Sequence, residues 1–167
     1  MQIFFAFFII IECMTYQTDS SLNAKDWLIL EELQKNARVS FAELGRLVKM
    51  SRPAVTERVK RLEDAGVISG YGVKINLSKV GLPITAFMRL RGACNKSMSV
   101  FETIPEIIAC DRVTGDDDFI AKLAVSSIAH LEDLINRLEP ICEITTLIVL
   151  NEVVKERLIN PSLLAQE

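Results

Sequence analysis

Residues 51–62 read Ser-Arg-Pro-Ala-Val-Thr-Glu-Arg-Val-Lys-Arg-Leu and are the most informative segment of the chain. Read as a helix, this segment places Val55, Val59 and Leu62 on one apolar stripe, because they recur at i, i+4 and i+7. Polar and cationic side chains cover the remaining surface. A short helix with a small-residue start and cationic flanks suits the major groove of duplex DNA.

The residues upstream predict another helix and a tight turn. Ser40 and Glu43 have the spacing of a capping box, with Ser at the N-cap and Glu three residues later. Residues 49–50 are then the turn. Ser51 caps the next helix, with Pro53 in its first turn, where a missing N–H costs nothing.

The flanking patterns predict a winged helix-turn-helix over residues 21–75. A first helix is expected over residues 22–36. Gly66 stands where a glycine ends a helix, and residues 67–71 alternate like a strand. Helix, short turn, helix and strand in this order are typical of that motif.

The charge of the chain is unevenly distributed. The 167 residues have a formal net charge of −3, so the protein as a whole is not a basic, nucleic-acid-coating type. Residues 45–62, however, contain six lysines and arginines against Glu57 alone. A local cationic face on an acidic body favours phosphate contact at that face and repels DNA elsewhere. The alternative is an ordinary solvated helix surface, which the capping and turn pattern disfavours.

The cysteine and histidine pattern argues against metal and Cys–His chemistry. Four cysteines, Cys13, Cys94, Cys110 and Cys142, form no C-x-x-C pair, and His130 is the only histidine. Reduced cytosolic thiols are the favoured interpretation. We therefore predict no metal site and no cofactor in a cytoplasmic protein.

The N-terminal segment, residues 1–20, is atypical. Residues 3–11 are nine consecutive apolar residues, too short for a bilayer span and without the cationic start of a signal peptide. Three interpretations compete: an element that packs on a partner, a membrane-interface tail, or a start codon placed too early. We favour the third, with Met14 as the start, because the sequence turns polar immediately afterwards.

Beyond a hinge at residues 76–82, the periodicity predicts an αβ domain over residues 83–158, followed by a tail at 159–167. The predicted order is β-α-β-β-α-β, the ferredoxin-like arrangement, so the whole chain is expected to be α+β. The predicted strands are 84–91, 107–113, 119–125 and 143–154, and the predicted helices are 97–104 and 127–138. One face of such a sheet lacks helices, and we expect a second copy of the chain to cover it.

The two halves together resemble the feast/famine, or Lrp/AsnC-type, family of transcriptional regulators over about residues 22–158. The residues that carry the resemblance are Asp26, Ala42-Glu43-Leu44-Gly45, Met50-Ser51-Arg52-Pro53, Arg58-Val59-Lys60-Arg61-Leu62-Glu63, Gly66-Val67-Ile68, Gly70-Tyr71, Arg112-Val113-Thr114-Gly115-Asp116 and Asp118. The resemblance implies a DNA-binding domain joined to an effector and oligomerisation domain. It also implies dimers that assemble into tetramers or octamers and respond to amino acids or related small molecules.

The residues expected to contact double-stranded DNA lie in and before the second helix of the motif. Arg52 and Thr56 are the candidates for base edges, since N-terminal residues of a recognition helix point that way. At the helix N-terminus, the Ser51 hydroxyl or a backbone N–H can donate a hydrogen bond to a DNA phosphate. The cations further along contact phosphates or, alternatively, pair with acidic residues on the same helix. The complete set is Ser51, Arg52, Pro53, Thr56, Glu57, Arg58, Lys60 and Arg61.

The effector is expected near the turn at residues 114–118, where the resemblance places ligands between neighbouring dimers. The candidate residues are Gly115, Asp116, Asp118, Thr145 and Thr146. Asp117 stands where the family usually has an aromatic residue, and this extra carboxylate favours a cationic ligand. The alternatives are an acidic turn without a ligand and, less favoured, a Mg²⁺ or Ca²⁺ site.

Three function classes remain at this point. The first is a sequence-specific transcription regulator, and the second an architectural protein of the same fold that wraps DNA. The third is an enzyme, which is disfavoured because the sequence has no Gly-rich phosphate loop and no nucleophile elbow. We expect a nucleoid-associated homo-oligomer with no role for a membrane.

Overall fold

The computed structural model describes residues 22–92, 95–154 and 156–163. The predicted N-terminal tail lies outside these residues. The described chain divides into two units, residues 22–73 with 156–163 and residues 74–154. Residues 159–163, expected to be part of a tail, therefore belong to the first unit. No helix among the described residues is both long and apolar enough to cross a bilayer.

Three helices build the first unit: α1 (Ala24–Lys35), α2 (Phe41–Val48) and α3 (Arg52–Asp64). Their apolar stripes meet in one core because each helix carries buried residues at helical spacing. The buried members of that core are Ile29, Leu33, Leu44, Val48, Val55, Val59 and Leu62. The predicted helices are confirmed to within two residues at each end.

The helix caps follow the sequence with one exception. The Ser40 and Ser51 hydroxyls accept hydrogen bonds from the backbone N–H groups of residues 43 and 54, as predicted. The complete capping box, however, lies at α1, where Asn23 and Asp26 exchange both hydrogen bonds at 3.1 Å. The Glu43 carboxylate instead lies 2.5 Å from Arg46, because an exposed cation one turn along competes for it.

The turn between α2 and α3 depends on close backbone packing. Lys49 adopts the left-handed conformation, with φ of 54°. The Met50 N–H donates to the Gly45 carbonyl at 2.8 Å. A Cβ atom at Gly45 would lie 2.7 Å from the Met50 carbonyl oxygen, so the turn can close only over a glycine.

The strand predicted over residues 67–71 is absent, and the described chain between Gly66 and Leu77 forms no strand. The Val67 and Ile68 N–H groups both donate to the Leu62 carbonyl, at 2.9 and 3.1 Å. These groups complete the C-terminus of α3 after Gly66, whose φ is 68°. Val67 and Ile68 are adjacent and both half-buried against the core, so this segment does not alternate between a buried and an exposed face.

The second unit is an antiparallel sheet with helices on one face, and it confirms the ferredoxin-like order. Its elements are β1 (Ile84–Arg91), α4 (Asn95–Glu102), β2 (Ile107–Arg112), β3 (Phe119–Val125), α5 (Ile128–Leu138) and β4 (Glu143–Ile148). The strand order is β2-β3-β1-β4. The last strand ends at Ile148, six residues before its predicted end, although the Val149 N–H still donates to Thr85.

The two faces of the sheet differ in composition because successive strand residues point to opposite sides. Ala86, Met88 and Leu90 are fully buried in the core beneath the helices. We call the opposite side the open face; it carries Thr85, Phe87, Arg89, Arg91, Glu143, Thr145 and Leu147. Its apolar part surrounds Phe87 and Leu147, which are 38% and 50% exposed.

Replacing Gly45 should lower the stability of the protein. We expect Gly45→Ala to cost about 1–3 kcal/mol in the free energy of unfolding, because overpacking against the backbone exceeds the helix propensity that Ala adds. Denaturant unfolding measures the change. Gly70→Ala is the matched control, since nothing lies within 4 Å of a Cβ atom there. Equal effects of the two substitutions would contradict the close approach.

Candidate DNA-binding helix and effector region

Helix α3 presents one face to the core and another to solvent. Val55, Val59 and Leu62 are buried, as the periodicity predicts. The predicted DNA-contacting side chains are exposed, apart from the half-buried Arg58. The Thr56 hydroxyl donates to the Arg52 carbonyl at 2.9 Å, so its oxygen remains able to accept a hydrogen bond.

A buried carboxylate joins α1 to α3. Asp26 is 1% exposed, and its oxygens accept hydrogen bonds from Arg58 at 2.8 Å and from Arg61 at 2.9 and 3.0 Å. The Asn23 N–H donates to the same carboxylate at 3.1 Å. Burial raises the pKa of Asp26, but the Arg58 and Asn23 hydrogen bonds and the two guanidinium charges outweigh burial and lower it overall.

This ion pair was not predicted from the sequence. The local pattern predicts acidic residues of the same helix as partners for Arg58 and Arg61, whereas Asp26 lies 32 and 35 residues earlier. The Asn23–Asp26 spacing is that of a capping box, but it does not mark Asp26 as the partner of these arginines, since an acidic residue in a first turn is ordinarily solvated. Only its place in the family resemblance singled it out.

The pairing divides the cations of α3 into two groups. The Arg58 side chain is 28% exposed and largely committed to Asp26, whereas that of Arg61 is 60% exposed. Within the described residues, Arg52 and Lys60 form no ion pair, and both are exposed. The outward charge available to an anion therefore comes from Arg52, Lys60 and the exposed side of Arg61.

The turn between β2 and β3 is fastened to the end of β1. Arg91 Nε donates to the Asp116 carbonyl at 2.8 Å, and the Gly92 N–H donates to Asp118 Oδ2 at 2.7 Å. Asp117 Oδ2 accepts from Arg89 Nε at 2.6 Å. The carboxylate that departs from the family pattern is thus neutralised within the chain, which removes the reason to expect a cationic ligand.

The predicted effector residues do not all come together. Thr145 lies opposite Arg89 on the open face, while Thr146 lies opposite Met88 on the side of the core. Gly115, with φ of 120°, permits the turn, and the Asp118 carboxylate is engaged by Gly92. The structure therefore associates Thr145, but not Thr146, with the residues around Arg89.

Metal ligands are not assembled in the part of the chain that the structure describes. No group of three or more His, Cys, Asp or Glu side chains there could hold a metal ion. His130 Nε2 instead lies 3.0 Å from Glu106, a carboxylate that Arg137 also contacts.

Removing the Asp26 charge should destabilise the first unit. We expect Asp26→Asn to lower the free energy of unfolding by about 1.5–3 kcal/mol at neutral pH, because Arg58 loses a charge-assisted hydrogen bond to a buried carboxylate. The pKa of Asp26 is lowered by folding, so this stabilisation is present above its ordinary value and is lost as the pH falls through the folded value.

Denaturant unfolding of both proteins across a pH series measures this contribution. The difference between wild type and Asp26→Asn should shrink in acid. Glu43→Gln removes an exposed pair with Arg46 and should stay within about 0.5 kcal/mol of wild type. A difference for Asp26→Asn that does not change with pH would contradict an ionic role.

Comparison with known proteins assigns both units. Residues 22–69 match a family model for winged helix-turn-helix DNA binding, and residues 85–159 match the Lrp/AsnC ligand binding domain. The transcriptional regulator LrpC of Bacillus subtilis is 34% identical over 135 residues, which cover 79% of this chain and 94% of LrpC. LrpA of Mycobacterium tuberculosis is 30% identical, over 83% of this chain and 97% of that protein.

Solved structures agree with this assignment. The structure of B. subtilis LrpC covers 82% of this chain and all of LrpC, with a TM-score of 0.78 and 33% identity. The feast or famine regulatory protein of M. tuberculosis, complexed with L-methionine, has a TM-score of 0.78 and 29% identity over 84% of this chain and all of that chain. These relatives are regulators rather than enzymes, and this chain belongs to the Lrp/AsnC family of transcriptional regulators.

Proposed function

We propose that a dimer of this protein reads DNA with two copies of α3, and that an amino acid alters this binding. The observation that carries the proposal is the outward face of α3. Its apolar stripe is buried in the core, while Arg52, Thr56 and Lys60 remain exposed around an N-terminus capped by Ser51. A helix of this kind docks in the major groove.

The roles of the α3 residues follow from their positions. Arg52 and Thr56 lie in the first turns of the helix and read base edges. Lys60 and the exposed side of Arg61 bind phosphates, which fix the register without reading sequence. Arg58 contributes chiefly through Asp26, because that pair holds α3 in one orientation on α1.

The open face of the sheet supports a dimer. Phe87 and Leu147 are neighbours across β1 and β4 and leave apolar surface exposed in the single chain. Packing on a second copy removes this surface from water. A two-fold axis would then present the two α3 helices to half-sites about one helical turn apart or a multiple of that spacing.

The second unit supports an amino acid as the effector. It matches the Lrp/AsnC ligand binding domain, and two solved relatives, from Neisseria meningitidis and M. tuberculosis, are complexes with L-methionine. The candidate effector-binding residues near the β2–β3 turn are Gly115, Asp116, Asp118 and Thr145. An effector changes DNA binding only if it binds two arrangements of the oligomer with different affinity, so the expected action is a population shift.

An architectural role that wraps DNA uses the same residues and is the alternative. Footprinting distinguishes the two. A regulator protects a few sites with high affinity, whereas a wrapping protein gives long periodic protection that depends on the ease of bending the DNA. Long protection at every sequence tested would contradict the regulatory proposal.

Arg52→Ala should weaken binding to the specific site and leave non-specific binding almost unchanged. The expected loss is about 1–3 kcal/mol, the range for one bidentate contact to a base. Titration of a genomic site and of a scrambled duplex at one salt concentration measures both affinities. An unchanged footprint and affinity would show that Arg52 does not read bases.

Lys60→Ala should weaken binding to all sequences alike. Loss of one phosphate contact makes the dependence of log K on log salt less steep, so that the magnitude of the negative slope falls by about one unit. Lys35→Ala is the charge-matched control, because Glu32 already neutralises that ammonium at 2.6 Å. A sequence-dependent loss for Lys60→Ala would mean that Lys60 contacts bases instead.

A further inference from the structure

The turn between α2 and α3 contains a lysine in a backbone conformation that ordinarily favours glycine. Lys49 has φ of 54° and ψ of 55° and, within the described residues, is the only residue other than glycine with a positive φ. The Met50 N–H donates to the Gly45 carbonyl five residues earlier, which is the hydrogen bond of a Schellman motif. The left-handed residue of such a motif is usually glycine, because a Cβ atom crowds the following carbonyl oxygen. The turn is therefore less stable with Lys49 than it would be with glycine.

The end of α2 does not need the charge of Lys49. A cation at a helix C-terminus is stabilising where it meets unpaired carbonyl groups. The Gly45 and Arg46 carbonyls, however, already accept backbone N–H groups of the turn. The Val48 carbonyl accepts a hydrogen bond from Lys25 Nζ at 2.8 Å, so a cation is already present at this helix end. Stabilisation of α2 therefore does not explain the Lys49 side chain.

The Lys49 side chain faces solvent close to the start of α3. Val48 is buried and Met50 packs against the core of the first unit, whereas Lys49 between them is exposed. Lys49 forms no ion pair within the described residues. Arg52, the candidate for base contacts, is three residues further along, so the two Cα atoms are at most about 11 Å apart. The major groove is about 12 Å wide, so one of these side chains can hold a phosphate at its edge while the other reads a base.

We propose that Lys49 binds a DNA phosphate next to the bases that α3 reads, and that this contact is why the turn keeps a lysine. The inference rests on the proposed reading of DNA by α3 and adds a contact from outside that helix. An ammonium on a phosphate contributes affinity and register without reading sequence. Lys49 thus makes the free turn less stable and the DNA complex more stable.

Three substitutions of Lys49 separate its charge from its backbone conformation. Lys49→Gly removes the ammonium and relieves the left-handed residue, Lys49→Gln removes only the ammonium, and Lys49→Arg keeps a cation. Thermal unfolding of the full-length protein measures stability. Titration of a genomic site and of a scrambled duplex across a salt series measures binding. Lys79→Gln is the matched control, since Lys79 is an exposed lysine of the second unit.

Stability and DNA binding should change in opposite directions in Lys49→Gly. Its unfolding temperature should rise by about 2–4 °C, because glycine adopts the left-handed conformation without strain. Its affinity for both duplexes should fall about five- to tenfold for each subunit bound, at about 0.1 M salt, and the magnitude of the negative salt slope should fall by about one unit. Lys49→Gln should lose the same affinity without a rise in unfolding temperature. Lys49→Arg and Lys79→Gln should keep the wild-type slope.

The salt series distinguishes failure of this inference from failure of the proposed function. Wild-type affinity and slope in Lys49→Gln overturn the inference, and the reading of DNA by α3 stands if Lys60→Ala still weakens binding. A loss in Lys49→Gly that Lys49→Gln does not share, or a loss confined to the genomic site, contradicts a phosphate contact. An unfolding temperature of Lys49→Gly at or below that of wild type contradicts the cost assigned to the turn. If wild type binds neither duplex, the proposed function fails together with this inference.

Discussion

The buried carboxylate of Asp26 is the interaction on which the first unit depends. A charge with 1% exposure is tolerated only when hydrogen bonds and opposite charges replace its water. Here the Asn23 N–H of the capping box and the guanidinium groups of Arg58 and Arg61 fill that role. The same carboxylate thus caps the N-terminus of α1 and holds α3 against it. Arg52 and Lys60 lie on the exposed side of α3, away from the buried stripe of Val55, Val59 and Leu62.

The second unit meets a different constraint. Its sheet buries one face under helices and leaves the other partly apolar and partly charged. The apolar part, around Phe87 and Leu147, favours a second copy of the chain. The DNA-binding helix α3 and the β2–β3 turn, where an effector is expected, lie in separate units. The proposed response to an effector therefore requires two arrangements of the protein that bind the effector with different affinity.

Local signals predicted most of the fold. The bounds of β1 and β3 match the predicted strands because both are short apolar runs bounded by turn-forming residues. The caps at Ser40 and Ser51 were also correct, since they depend on residues three positions apart. The strand at residues 67–71 was wrong because the N–H groups of Val67 and Ile68 are used by the end of α3. Such use of backbone donors is invisible in a hydropathy pattern.

The sequence by itself determined the helix-turn-helix, the βαββαβ order and the cationic character of α3, because spacing, caps and local charge are properties of neighbouring residues. Tertiary structure decided which charges pair. Asp26 pairs with arginines more than thirty residues away, and Arg89 pairs with Asp117. Thr145 and Thr146 lie on opposite faces of the sheet. These outcomes depend on packing between distant segments. An ionic partner is chosen by distance in space and by the water excluded around it, and neither quantity is encoded in local spacing.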